Sequence, residues 1–189
     1  MDATRRLVEE LQALVPDTIV KTAIEFALAR HEGQMRLDGE PHVNHTIRVG
    51  IAAARYALGN KPKLAADLAI CGVLHDTLED TPTTDEELAS LFGKEVARTV
   101  RALSHVEEEE PESEYYARVR AGGLMAVLIK RYDRLDNFAS LVGAPKKFQR
   151  KVLRLQRAAL PIWREMDPEG YDLIEAAIME NERRLGIGA

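Results

Sequence analysis

His75-Asp76 and Glu79-Asp80 place one imidazole and three carboxylates within six residues, directly after the apolar run 64–74. On a helix, neighbours are about 100° apart and residues three or four apart share a face, so these four side chains form one patch. Three carboxylates crowded beside a buried segment repel one another and lose solvation unless a cation or ordered water compensates. A divalent metal with a catalytic pair one turn away is the natural compensation. His45 lies on the preceding predicted helix, and Asp133 lies in the charged cluster 130–137 that follows the apolar stretch 124–129. Two histidines and two aspartates from three helices make a mixed N/O donor set, which suits Mn2+, Fe2+ or Zn2+ better than Ca2+. Four protein ligands leave positions for a water and a substrate oxygen, and Glu79, one turn from His75 and Asp76, is placed to accept a proton. Taken singly, His75-Asp76 reads as a helix-terminal pair, Asp133 as a salt-bridge partner and His45 as a core histidine. Only their order and company make them ligands.

The elements that must position these residues are helical. Sequence-based expectations put helices at 4–14, 16–32, 44–58, 62–79, 84–91, 95–103, 113–120, 124–141, 145–166 and 168–185, with no alternating strand run. Thr84 with Glu87 has the form of a capping box, Gly93 and Gly122-Gly123 break helices, and Asp167-Pro168 starts the last one. Two glycines and a proline make 33–41 a loop, and Glu107-Glu108-Glu109-Glu110-Pro111-Glu112 reads as a solvated one. Leu153, Leu160 and Ile162 serve either as a homodimer seam or as closure of the core, and Trp163 reads as core. The expectation is one all-α domain over 1–189, a helical bundle of about eight to ten helices.

Composition narrows the function classes. A hydrophobic content of 46% with only 5% aromatics suits packed helices. The net charge of −5 disfavours a general nucleic-acid surface, and an anionic substrate then needs a local basic patch, for which Arg36, Lys130, Arg131 and Arg134 are the candidates. The single cysteine, Cys71, sits in an apolar run and excludes a disulfide framework and any cysteine-cluster zinc site. No secretory leader pattern and no membrane-length apolar run are present, so the reading is a soluble cytoplasmic protein with no membrane partner.

His45, His75-Asp76 and Asp133 resemble the H…HD…D ligand set of the HD-domain metal-dependent phosphohydrolases. The blocks 31–41, 74–81 and 128–137 narrow the likeness to the Rel/SpoT-type alarmone hydrolase domain, with a family-like core over about 23–141 followed by C-terminal helices at 145–185. The resemblance implies an all-α HD fold and a usually Mn2+-dependent (p)ppGpp 3′-pyrophosphohydrolase, in which metal-activated water attacks the 3′-pyrophosphate to give GDP and pyrophosphate. Nothing resembling the synthetase domain follows Leu141, so the stand-alone small alarmone hydrolases are the expected relatives. By the same resemblance Glu79 and Asp80 position or deprotonate the water, Arg36 packs against the base, and Asn137 hydrogen-bonds the sugar region. His31 either supports a ligand or caps its helix as a cation.

The chain departs from that pattern near the nucleotide. Thr46 replaces the usual proline after the first ligand, His42 an aromatic, Leu37 a basic residue, and Tyr132 and Asp136 a small residue and a histidine. Gly122-Gly123 stands where an acidic residue is common. None is a ligand. Three functions stay open on the sequence: ppGpp hydrolysis, hydrolysis of another phosphorylated nucleotide such as a nicotinamide dinucleotide phosphate, and a non-catalytic nucleotide-binding module.

Overall fold

In a computed structural model the described residues are 3–105 and 110–187, so Glu107 to Glu109 of the acidic run lie outside them. The described residues form ten α-helices of eight residues or more and one single-turn α-helix. In chain order these are α1 (Ala3–Leu14), α2 (Thr18–Arg30), α3 (His42–Asn60), α4 (Ala65–Leu74), the single turn α5 (Thr77–Asp80), α6 (Asp85–Phe92) and α7 (Lys94–Leu103). Then come α8 (Glu112–Ala121), α9 (Leu124–Ser140), α10 (Lys146–Met166) and α11 (Pro168–Leu185). The only β pairing among the described residues is one isolated bridge between Met35 and Pro41, which closes the 33–41 loop. The all-α expectation holds.

Helix α4 is the centre of the bundle. Every residue from Leu68 to Leu74 is buried, against α2, α3, α7 and α9. Its closest neighbour is α3, and the two backbones meet at glycines: a Cβ on Gly72 would lie 2.6 Å from the Gly50 Cα and 2.7 Å from its nitrogen. Glycine lowers helix propensity by about 1 kcal/mol, and here that loss lets the helix carrying His45 approach the one that delivers His75-Asp76.

Several boundaries follow the sequence. The Asp17 side chain accepts from the Ile19 N–H, Asp167 accepts from the Gly170 N–H, and Gly93 ends α6 with φ +90°. Thr84 accepts from the Glu87 N–H as expected, but the Glu87 carboxylate pairs with Arg30 instead of returning to Thr84, so the box is half formed. Two boundaries differ in ways that matter. The helix expected over 62–79 stops at Leu74. There the His75 ring binds the Gly72 carbonyl at 2.8 Å and the Thr77 hydroxyl binds the Leu74 carbonyl at 2.7 Å. These carbonyls are the ones a continuing helix would offer to Asp76 and Leu78, so side chains end it. Helix α3 begins at His42, not at residue 44, which puts His42 one turn before His45 on the same face.

The C-terminal helices close the core. Leu153 is 1% exposed, Leu160 7% and Trp163 0%, so these are interior positions, and Ile162 is partly buried against the same core. No helix among the described residues is long and apolar enough to cross a membrane.

Candidate active site

The four expected ligands converge. His45 comes from the first turns of α3, His75 and Asp76 from the break after α4, and Asp133 from the middle of α9. His45 Nε2 lies 3.3 Å from Asp133 Oδ1 and 3.6 Å from Asp76 Oδ2. His75 Nε2 lies 3.0 Å from Asp76 Oδ1 and 3.8 Å from Asp133 Oδ1.

The other nitrogen of each histidine decides what Nε2 can do. His75 Nδ1 faces the Gly72 carbonyl and His45 Nδ1 faces Asp136 Oδ2 at 2.7 Å. Both acceptors require a proton on Nδ1, so Nε2 of each ring carries the lone pair that a metal takes. His75 Nε2 is buried and has no hydrogen-bond partner. Two imidazole lone pairs turned toward two carboxylates fit a divalent cation at this point. In the metal-free chain protons fill that role. Burial alone pushes His75 down, but Asp76 and Asp133 outweigh it and raise the ring to about 10. His45 is likewise raised, by Asp133 and Asp136 acting against burial. The Asp76 and Asp133 carboxyls stay well below the usual range despite burial, because His75 faces Asp76, and Lys130 with both rings faces Asp133.

Glu79 and Asp80 occupy the exposed mouth of this centre. Glu79 Oε2 accepts from the His105 backbone N–H at 2.9 Å, and burial still raises its carboxyl above the ordinary value. Asp80 is raised by burial and by Asp76. His105 is half-buried and stacks on Tyr115 with ring centroids 3.7 Å apart.

A cavity of about 410 Å3 adjoins the centre, lined in part by Arg36, Leu37, His42, Arg134, Asn137 and Phe148. Arg36 donates to Asn137 Oδ1 at 2.8 Å and to Ser140 Oγ at 2.7 Å, and Asn137 Nδ2 donates to Asp133 Oδ1 at 2.6 Å. One chain of hydrogen bonds thus runs from the cavity wall to a ligand. The Arg134 Nε is buried without a partner.

Two of the expected phosphate-binding cations are committed elsewhere. Lys130 is buried, with Nζ 2.8 Å from Asp133 Oδ2 and 4.8 Å from the Tyr115 ring centre. Its charge steadies a ligand instead of lining the cavity. Arg131 points to the far side of α9 and pairs with buried Asp167.

Sequence reasoning also missed three residues. Asp136 orients His45, and Arg48 in turn clamps Asp136, with Nε to Oδ1 at 2.6 Å and Nη2 to Oδ2 at 3.0 Å. His42 Nε2 lies 2.9 Å from Asp76 Oδ2 and 3.4 Å from Asp80 Oδ2. The three-residue spacings of His42 to His45 and of Asp133 to Asp136 were the available signals. His31 is buried, its Nδ1 bound to Gln34 Oε1, while the Gln34 amide donates to the Asp80 carbonyl. It supports the site from behind and does not act as an exposed helix-end cation.

The comparisons with known proteins agree with this geometry. The family model described as HD domain matches residues 23–166. The chain is 32% identical over 141 residues to a guanosine-3′,5′-bis(diphosphate) 3′-pyrophosphohydrolase of Aquifex aeolicus, covering 71% of this chain and 19% of that protein. It is 31% identical over 146 residues to a GTP pyrophosphokinase of Myxococcus xanthus, covering 71% and 18%. The chain thus spans about a fifth of the length of these curated relatives. A solved structure described as a metazoan ortholog of SpoT that hydrolyzes ppGpp superposes with a TM-score of 0.72 at 23% identity, over 92% of this chain and 98% of that one, and shares the fold. An all-α bundle around paired His-Asp ligands defines a class of metal-dependent helical proteins. This chain belongs to the HD domain family.

Proposed function

We propose that this chain hydrolyses the 3′-pyrophosphate of (p)ppGpp as one domain, giving GDP and pyrophosphate from ppGpp, in the cytoplasm. The carrying observation is the pair of Nε2 lone pairs facing Asp76 and Asp133, one hydrogen-bonded chain away from a nucleotide-sized cavity. The name of the Aquifex aeolicus relative, a guanosine-3′,5′-bis(diphosphate) 3′-pyrophosphohydrolase, supports the same substrate. His45, His75, Asp76 and Asp133 would hold the cation, for which Mn2+ is the first choice and Zn2+ or Fe2+ also suit the donors. When bound, it supplies a lowered pKa for water and positive charge against phosphoryl oxygens.

The remaining work falls to side chains. Glu79, with its carboxyl raised by burial, accepts the proton of the attacking water, and Asp80 orients that water. Arg36 and Asn137, bonded to each other, hold the base and sugar, and Arg134 faces the phosphates from the cavity wall. Lys130 acts through Asp133 and not through the substrate.

Incubating ppGpp with purified protein and Mn2+ tests the reading. GDP and pyrophosphate should appear, and Glu79→Gln should lower kcat by about 10²–10⁴-fold. A second reading, hydrolysis of another phosphorylated nucleotide, draws on Leu37 and His42, which line the cavity where the resembled family carries other residues. Release of inorganic phosphate from a nicotinamide dinucleotide phosphate, with ppGpp untouched, would select it.

A further inference from the structure

Glu79, the proposed base, is the least anchored member of the site. It lies on the single-turn α5 and is exposed. Among the described residues one hydrogen bond holds its carboxylate: the His105 backbone N–H donates to Oε2 at 2.9 Å. A base works only within hydrogen-bond reach of its proton, and a displacement of about 1 Å can cost about 100-fold in rate. The placement of Glu79 therefore depends on what aims the His105 N–H.

His105 follows the end of α7, where no glycine closes the helix and Ser104 leaves in an extended conformation. The last four carbonyls of a helix have no partner within it. Here three side chains take all four, two of them from α8. Ser104 Oγ donates to the Val100 carbonyl at 2.9 Å and the Tyr115 hydroxyl to that of Leu103 at 2.8 Å. Arg118 Nη1 lies 3.1 Å from the carbonyl oxygens of Arg101 and Ala102. It also lies 2.8 Å from the Ser104 carbonyl oxygen. That oxygen and the His105 N–H belong to one planar trans peptide group, so holding the oxygen aims the N–H the opposite way. A cation on the oxygen also polarises the group and strengthens its N–H as a donor.

Arg118 is itself held. Its Nε lies 3.2 Å from Glu110 Oε1, its Nη2 binds Glu110 Oε2, and its guanidinium carbon sits 5.3 Å from the Tyr115 ring centre. Tyr115 is buried and stacks on the His105 ring while its hydroxyl holds Leu103. Neither Arg118 nor Tyr115 lines the 410 Å3 cavity. We propose that Arg118 and Tyr115 are positioning residues for the base: they fix the 104–105 peptide so that its N–H holds Glu79 Oε2. Oε1 is then left to accept the proton of the attacking water. The inference rests on the reading of Glu79 as the base given above.

Two measurements decide it: steady-state kinetics on ppGpp with Mn2+, and the His105 amide proton resonance of the metal-free chain. Tyr115→Phe keeps the buried ring and loses only the hydroxyl. It and Arg118→Gln should each lower kcat by about 10–100-fold, with KM and Mn2+ affinity near native. In a Glu79→Gln background neither change should lower kcat further, because the group they position is gone. The same fold-loss in both backgrounds overturns the proposal by making the role merely structural, and so does native kcat in both variants. The amide resonance needs no substrate. It should lie downfield in the native chain, and Glu79→Gln and Arg118→Gln should each move it upfield. A His105 amide unmoved by Arg118→Gln overturns the proposal. A native chain without ppGpp turnover overturns the substrate reading instead, and the amide resonance then decides the positioning role alone.

Discussion

Each histidine proposed as a ligand is oriented by the acceptor that holds its other nitrogen. For His75 this is a backbone carbonyl, which no substitution removes, and for His45 it is the Asp136 carboxylate, itself clamped by Arg48. Asp136→Asn should therefore turn or re-tautomerise His45 and weaken Mn2+ binding by about 10–100-fold. Competition titration with a fluorescent chelator would read the shift, and an unchanged affinity would remove Asp136 from the site. Protons and metal compete for the same lone pairs. His75 is raised to about 10, so below that pH the metal-free ring keeps a proton that a cation must displace. Affinity should thus rise with pH across the neutral range, by about tenfold per unit for each proton released. Titration calorimetry at pH 7.5 in buffers of different ionisation enthalpy should give buffer-dependent heats. Heats independent of buffer would mean that no proton leaves.

At the scale of elements, the site depends on how closely α3 and α4 approach. Gly72→Ala adds a methyl that meets the Gly50 backbone at 2.6 Å, and backbone cannot turn aside as a flexible side chain does. The gain in helix propensity, about 1 kcal/mol, opposes an overpacking cost of about 1–3 kcal/mol. The clash should win, lowering the melting temperature and weakening metal binding as His45 moves away from His75. Gly59→Ala is the matched control, since nothing lies within 4 Å of its added Cβ, and it should be neutral or slightly stabilising. Helix identities were legible because capping and breaking residues announced them: Thr84, Gly93 and Asp167 all act where their chemistry predicts. The break at His75 was not legible. It arises from side chains taking the Gly72 and Leu74 carbonyls, which a hydrophobic period cannot report. The start of α3 at His42 was missed too, and with it a residue that touches Asp76 and also lines the cavity.

For the whole molecule, the convergence of His45, His75, Asp76 and Asp133 was legible as a pattern of residue types, whereas the partners of each cation are set by which side of α9 faces which neighbour. Lys130, Arg131 and Arg134 are adjacent or nearly so in sequence, yet one binds Asp133, one pairs with Asp167, and one lines the cavity. Arg131 shows what the C-terminal helices contribute. The residue is 4% exposed, and its guanidinium joins the bundle to the start of α11 through Asp167, with Nε to Oδ2 at 2.6 Å, and Asp167 also caps that helix. Truncating one partner strands the other charge in the interior, so Asp167→Ala should cost about 3–5 kcal/mol for the pair and about 1 kcal/mol for the cap. At about 2–4 °C per kcal/mol for a chain of this size, melting should fall by some 8–24 °C. Replacing both partners by apolar residues, Arg131→Met with Asp167→Leu, removes the stranded charge while sacrificing the same cap. Melting of the double variant should recover most of the loss, and Mn2+ affinity should stay near native, since Arg131 lies on the opposite side of α9 from Asp133. A double variant as unstable as the single one would mean that the ion pair itself, and not the avoidance of an unpaired charge, docks the C-terminal helices on the bundle.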